Sequence, residues 1–159
     1  MNAALERRDA RERILLLWVC LGLFLLRVLG QIEALLLAPS WLPPMQDWYS
    51  GLLPYPVLLP AQIVLLMIMA VIAANQTLTN THAPGRWRRW VRVFAVAYFA
   101  AMTLRLLIQL GRGAPDVIAA GGIPVVFHYV LALFLCVLAR PAASESSYPT
   151  RLAGMMLVP

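Results

Sequence analysis

Four long apolar runs constrain the fold of this chain more than any other feature of its sequence. They cover residues 14–37, 54–74, 91–110 and 117–139. Each run holds about 20 residues or more, which at about 1.5 Å per helical residue matches the ~30 Å hydrocarbon core of a bilayer. A segment in lipid must satisfy its own backbone hydrogen bonds, so each run is expected to be an α-helix. The sequence therefore predicts an all-α fold, an integral membrane four-helix bundle.

Composition and segment lengths support this class. Hydrophobic residues make up 62% of the 159 residues and charged residues only 13%, about half the charge of a typical soluble domain. The segments outside the runs are shorter than the roughly 50 residues of a small domain. We therefore expect a basic cytoplasmic N-terminus over residues 1–13, a transmembrane domain over 14–139 and a mobile cytoplasmic tail over 140–159.

The placement of the arginines predicts the orientation of the bundle. All 13 basic residues are arginine. Ten of them flank the side of the four spans that holds both termini, two lie within the spans, and Arg112 alone flanks the other side. The positive-inside rule then places both termini in the cytoplasm. Attraction to anionic lipid headgroups accounts for the basic charge. Nucleic acid is not an expected partner, because no basic–aromatic recognition module accompanies that charge.

Two arginines lie inside the apolar runs and start the same short pattern. Arg27 precedes Gln31, and Arg105 precedes Gln109, by four residues, so each pair lies on one helical face. An arginine at the centre of a transmembrane helix costs about 2.5–3.5 kcal/mol. One interpretation is that both side chains reach lipid phosphates or pair internally. The other is a dedicated site for an anion or polar headgroup, which a guanidinium fits well.

Each predicted span contributes strongly polar side chains to one depth, about 16–21 Å from the inner boundary of the hydrocarbon core. The members of this layer are Arg27, Gln62, Arg105 and His128, with Gln31 and Gln109 one turn further out and Tyr98 on the same face as Arg105. Polar side chains within a membrane face the bundle interior or a wet cavity. We therefore predict one connected, outward-facing polar pocket, which holds no carboxylate at its own depth.

The same residues leave several chemical roles open. His128 can be a hydrogen-bonding core residue, a haem ligand or a proton relay. A bis-histidine haem needs a second intramembrane histidine, which this chain lacks unless it dimerises. A quinone fits slightly better, since histidine, glutamine, tyrosine and arginine can hydrogen-bond its carbonyls. We predict no resident cofactor. No metal site is expected because the chain has only two histidines, and no catalytic residues are expected because no carboxylate pair lies within a span.

Aromatic residues mark the loop between the first two runs. Trp48, Tyr49 and Tyr55 suit the headgroup interface as anchors, and the alternative is a lid over the pocket. Both halves of the chain also show Arg-x-x-x-Gln, then Ala-Pro, then Pro-Val. This order is compatible with two parallel helix-hairpin repeats, a repeat type known in transporters.

One stretch carries a resemblance that bears on fold and location. The residues 48–56 with Pro60 and Gln62, preceded by Arg27 and Gln31 and followed by His128, resemble small four-span bacterial inner-membrane proteins that have no assigned function. The resemblance implies a multi-pass protein of the bacterial inner membrane and says nothing about activity.

Two functional hypotheses follow from these observations. The first is a membrane protein whose polar pocket binds a lipid-like, anionic or quinone-like molecule. The alternative is a structural or accessory subunit of a larger membrane complex, with a membrane enzyme or transporter as the third hypothesis. Membrane lipids are the expected partners, and a membrane-protein partner or a homodimer is the alternative.

Overall fold

Helices form almost all of the chain that the structure describes. The computed structural model describes residues 2–37, 39–42, 55–79, 85–113 and 121–140. Its helices are α1 (Asn2–Leu36), α2 (Tyr55–Thr79), α3 (Gly85–Gly111) and α4 (Gly122–Leu138). These described ranges contain no β-strand. The predicted all-α, four-helix bundle is confirmed.

Three of the helices are long and apolar enough to cross a membrane. They are Arg7–Leu36 within α1, Pro56–Thr79 within α2 and the whole of α3, Gly85–Gly111. The remaining helix, α4, is also apolar but has only 17 residues, or about 25 Å at a rise of 1.5 Å per residue. The membrane class predicted from the apolar runs is therefore supported by helix length as well as by composition.

The helices pack as a row rather than as a closed square. Within the described residues, α1 packs against both α2 and α4, and α3 packs against α4. The order across the bundle is therefore α2, α1, α4, α3. Leu17 of α1 shares a core with Val137 at the end of α4, whereas Arg27, further along α1, contacts Phe127 near the start of α4. These two helices are therefore antiparallel.

The core lies where α1, α2 and α4 meet. Its fully buried members include Leu17 and Cys20 of α1, Met69 of α2 and Phe134 and Val137 of α4. Buried positions recur every three or four residues along α1, as a helix facing two neighbours requires. In lipid such a core is stabilised by close van der Waals packing, because the surrounding hydrocarbon is equally apolar.

The N-terminal ends of α1 and α4 do not coincide with the starts of the apolar runs. Helix α1 continues through the basic N-terminal segment, where Arg8 Nε donates to Glu12 Oε1 over 2.9 Å in a favourable i, i+4 pair. Helix α4 begins at Gly122, although the apolar run begins at residue 117. The cause is Gly121, whose φ of 80° lies in the left-handed region, where a right-handed helix cannot continue.

Candidate functional site

The buried face of α1 carries two of the predicted site residues. Arg27 is 7% exposed and Gln31 is fully buried, at 0%. Both share their face with apolar core residues such as Phe24 and Val28. The four-residue spacing therefore does what the sequence predicted: it directs both side chains to one side of the helix. That side faces other helices, not lipid.

Arg27 reaches α4 and the polar residues beside it. Its guanidinium carbon lies 5.3 Å from the ring centroid of Phe127, within the range of a cation–π contact. Arg27 also lies near Tyr98 and His128, and Arg105 lies near His128. The structure thus brings these four predicted site residues of three different helices into one cluster.

Tyr98 and His128 join α3 to α4 inside this cluster. The Tyr98 hydroxyl lies 2.5 Å from His128 Nδ1, and the two rings meet edge to face with centroids 5.5 Å apart. When the hydroxyl donates to Nδ1, the imidazole keeps its proton on Nε2. His128 can then donate a second hydrogen bond from Nε2.

Contacts between the N-terminal half of α1 and the C-terminal end of α2 show which part of α1 lies beside Gln62. Arg13 donates to Gln76, and Trp18 Nε1 donates to Thr77 Oγ1 over 3.1 Å. The two helices run antiparallel, so stepping outward from these contacts places Gln31 opposite residues 58–64 of α2. Gln62 lies in that interval and is 6% exposed. The two buried amides therefore occupy one level of the bundle.

Arg105 and Gln109 lie on the C-terminal half of α3 and are half-buried. The Tyr98–His128 and Thr103–Tyr129 contacts place Arg105 alongside the first turns of α4, between residues 121 and 127. Together with Ala101, Leu104, Ile108 and Arg112 they line an open groove of about 360 Å³ along α3. Gln109 is thus placed at the outer edge of the cluster rather than within it.

Several buried polar atoms of this layer have no hydrogen-bond partner among the described residues. They are Arg27 Nε, both amide atoms of Gln31, and Gln62 Oε1. Leaving such a group unsatisfied costs about 1–3 kcal/mol. Arg27 Nε and Gln31 Nε2 are donors, and the side-chain oxygens of Gln31 and Gln62 are acceptors. The layer can therefore bind a polar group that offers acceptors to Arg27 and Gln31.

The remaining predicted residues are placed differently. Trp48 and Tyr49 lie outside the described residues, and Tyr55 is the first residue of α2. No three His, Cys, Asp or Glu side chains cluster as metal ligands within the described ranges. The described candidate site residues thus lie on helix faces, and the lid hypothesis stays a prediction.

Sequence reasoning missed the buried inner contact of Arg13. This arginine counts among the ten that predict the orientation, yet it is 5% exposed and bonded to Gln76 of α2. A signal was present, because Arg13 lies 14 residues before Arg27 and so close to the same helical face. Its bond to Gln76 is one of two side-chain hydrogen bonds between α1 and α2 in the described residues, beside that of Trp18 with Thr77.

A double-mutant cycle tests the link between α3 and α4. Tyr98→Phe keeps the ring but removes the hydroxyl that meets His128. We expect a coupling energy with His128→Phe of about 0.6 kcal/mol, and at most about 1.7 kcal/mol, the range found for interhelical hydrogen bonds in membranes. Tyr129→Phe is the control, because its hydroxyl bonds to Thr103. The control cycle combines Tyr129→Phe with His128→Phe, and unfolding in detergent measures the coupling energy of both cycles. Equal coupling energies in the two cycles would contradict the assigned contact between Tyr98 and His128.

No family model, curated protein or solved structure matches this chain. The function is therefore argued from the site itself. The likeness to small bacterial inner-membrane proteins stays an expectation.

Proposed function

We propose that this protein crosses the membrane four times and binds an amphipathic molecule by its polar head in the layer formed by Arg27, Gln31, Gln62, Tyr98 and His128. The apolar part of the ligand would lie against the helices or in the surrounding lipid. The proposal places the site in the outer half of the bilayer of a bacterial inner membrane. Arg105 and Gln109 contribute from the outer edge of the layer.

Gln31 is the observation that carries this proposal. Its side chain is completely buried, and neither amide atom has a partner among the described residues. A core residue selected for packing alone would be apolar, since the orphaned amide costs about 1–3 kcal/mol. A bound polar head removes that cost. Arg27 lies one helical turn away on the same buried face and offers an unpartnered donor, its Nε, so the two residues can bind one group together.

A purely structural role has less support. The helices at the two ends of the row, α2 and α3, expose many apolar side chains, such as Ile63, Met67, Phe94 and Leu107. Lipid covers such faces in any membrane protein. Exposure on α2 and α3 therefore does not distinguish a partner surface from ordinary lipid contact, whereas the buried amides of Gln31 and Gln62 do point to a ligand.

The matched variants Gln31→Leu and Gln76→Leu test the proposed function. Wild-type protein extracted in mild detergent should carry a near-stoichiometric amphiphile, measured by mass spectrometry of its lipid extract. Gln31→Leu should lower that amount about tenfold, while the protein still inserts and folds. Gln76→Leu changes the same chemistry at the inner end of the bundle and should leave the amount unchanged. Equal ligand content in all three proteins would contradict the proposal.

The two variants should also differ in the sign of their effect on stability. After removal of bound amphiphile, Gln31→Leu should raise the free energy of unfolding by about 1–3 kcal/mol, because it deletes an unsatisfied buried amide. Gln76→Leu should lower it by about 1 kcal/mol, because its amide accepts from Arg13 and such interhelical bonds are modest in membranes. Thermal unfolding in one detergent measures both.

The proposed topology has its own test. Ten arginines flank one side of the four spans and one flanks the other, so both termini should face the cytoplasm. A reporter that is active only outside the cytoplasm should stay silent when fused after Arg140. The same reporter inserted after Arg112 should be active. Activity after Arg140 would contradict the four-span arrangement.

A further inference from the structure

We propose that the polar head bound in this layer carries free hydroxyl groups, as glycerol and sugar heads do, and donates hydrogen bonds to Gln31 and Gln62 as well as accepting them. This inference rests on the proposed function and specifies the class of ligand. Two observations support it. The buried amides of Gln31 and Gln62 face each other between α1 and α2 without bonding, and the atoms that they leave unmatched include two acceptors.

The side chain of Gln31 points toward α2. Gln31 follows Arg13 by 18 residues, which is five full turns at 3.6 residues per turn, so the two side chains leave α1 in the same direction. Arg13 donates a hydrogen bond to Gln76 of α2. Because Gln31 is fully buried on this same side of α1, its amide lies in the interface with α2.

Gln62 faces this interface from the opposite helix. It precedes Gln76, the partner of Arg13, by 14 residues, which is about 40° short of four full turns. Met69, midway between Gln62 and Gln76, is 1% exposed and belongs to the core. Gln62 itself is 6% exposed. Since Gln31 and Gln62 also lie at one level of the bundle, their amides face each other between α1 and α2.

The two amides do not hydrogen-bond to each other. Among the described residues, neither side-chain polar atom of Gln31 has a partner, and Oε1 of Gln62 has none either. Turning the Gln31 amide by 180° would exchange its oxygen and nitrogen but would still leave one donor and one acceptor unmatched. The position between the two glutamines therefore suits a polar group that both donates and accepts.

The kinds of unmatched atom distinguish between classes of polar head. Arg27 Nε and Gln31 Nε2 are donors, whereas Gln31 Oε1 and Gln62 Oε1 are acceptors. A hydroxyl group donates one hydrogen bond and has two acceptor lone pairs, so a head with two hydroxyls can serve all four atoms. A quinone carbonyl or an ionised carboxylate only accepts, and it would leave both glutamine oxygens without a donor. Burial makes such a loss costly, so the site favours a hydroxylated head.

A matched pair of probes tests the need for hydroxyl hydrogens. Delipidated protein is placed in nanodiscs of phosphatidylcholine, whose head has no N–H or O–H group, together with 1-oleoylglycerol, its dimethyl ether or oleic acid. The dimethyl ether keeps both oxygens of the glycerol head but cannot donate. We expect native mass spectrometry to show about tenfold better retention of 1-oleoylglycerol than of the other two probes, because two hydrogen bonds to buried acceptors are lost. Equal retention of the dimethyl ether would overturn the inference.

A variant of Gln62 tests whether this residue accepts from the ligand. Gln62→Met removes the acceptor and keeps an unbranched side chain of similar length. It should reduce the preference for 1-oleoylglycerol over the dimethyl ether to about threefold or less, because one of the two hydrogen bonds is lost. Gln76→Met makes the same change at the inner end of α2, where the amide accepts from Arg13, and should leave the preference unchanged. An undiminished preference in Gln62→Met would overturn the inference.

The outcomes separate this inference from the proposed function. Equal retention of all three probes, or a preference for oleic acid, would leave the binding function standing and overturn the hydroxylated head. Retention of no probe, with no co-purified amphiphile, would overturn both.

A direct hydrogen bond between Gln31 and Gln62 is the remaining way to satisfy these amides. Unfolding of delipidated Gln31→Leu, Gln62→Met and the double variant measures the coupling between the two residues. We expect the two effects to add. A coupling of the size of a hydrogen bond would mean that the amides satisfy each other, and the inference would be wrong.

Discussion

Arg27→Leu should abolish ligand retention and, at the same time, make the ligand-free protein more stable. Removing an arginine from the membrane interior lowers the cost of insertion by about 2.5–3.5 kcal/mol. Loss of the cation–π contact between Arg27 and Phe127 destabilises the folded protein by about 0.5–2 kcal/mol. The cost of insertion exceeds the energy of the cation–π contact, so we expect the ligand-free variant to be more stable by about 0.5–3 kcal/mol. A variant that is more stable but retains no ligand would show that Arg27 serves ligand binding rather than the stability of the fold.

The comparison requires wild-type and variant protein with and without bound amphiphile. Ligand that binds only the folded state stabilises it, so delipidation should lower the melting temperature of the wild type and leave that of Arg27→Leu unchanged. Arg89→Leu is the control, because Arg89 is exposed at the inner end of α3. Arg89→Leu should keep both the ligand and the response to delipidation. A loss of stability in ligand-free Arg27→Leu would instead mean that Arg27 supports the fold.

Leu17→Ala should be strongly destabilising, whereas Leu15→Ala should be nearly neutral. Leu17 is fully buried among α1, α2 and α4, and Leu15, two residues away on the same helix, is 63% exposed. Buried leucine-to-alanine changes cost about 2–5 kcal/mol in soluble proteins, part of it for the cavity left behind. Lipid is as apolar as the core, so the packing loss dominates here and we expect about 2 kcal/mol.

Unfolding of both leucine variants in the same detergent checks this expectation. Similar destabilisation by Leu15→Ala would mean that its exposed face packs against another protein surface, which would favour a subunit of a larger complex. Destabilisation by neither variant would contradict the three-helix core itself.

The helices could be predicted from the sequence because helix formation in lipid depends on interactions within a single segment of the chain. Runs such as 54–74 and 91–110 must be helices in lipid, whatever they contact. The i, i+4 spacing of Arg27 and Gln31 likewise fixes their common face without knowledge of any neighbour. These local rules predicted the helices and the buried side of α1.

The order of the helices did not follow from the sequence. Which helix lies beside α1 depends on interhelical contacts, such as that of Arg27 with Phe127 or of Arg13 with Gln76, which no periodicity encodes. Similar depth therefore predicted a polar layer, but it did not predict which residues of neighbouring helices each member of the layer contacts. The late start of α4 had a visible signal in Gly121-Gly122, adjacent glycines that commonly interrupt helices.

An experimental structure of the wild-type protein in lipid nanodiscs tests the binding site most directly. We expect non-protein density in the buried layer, with its polar atoms about 2.7–3.2 Å from Arg27 Nε and the amide of Gln31. Lipid-exposed Arg27, or a layer in which side chains of the chain itself satisfy Gln31 and Arg27, would contradict it.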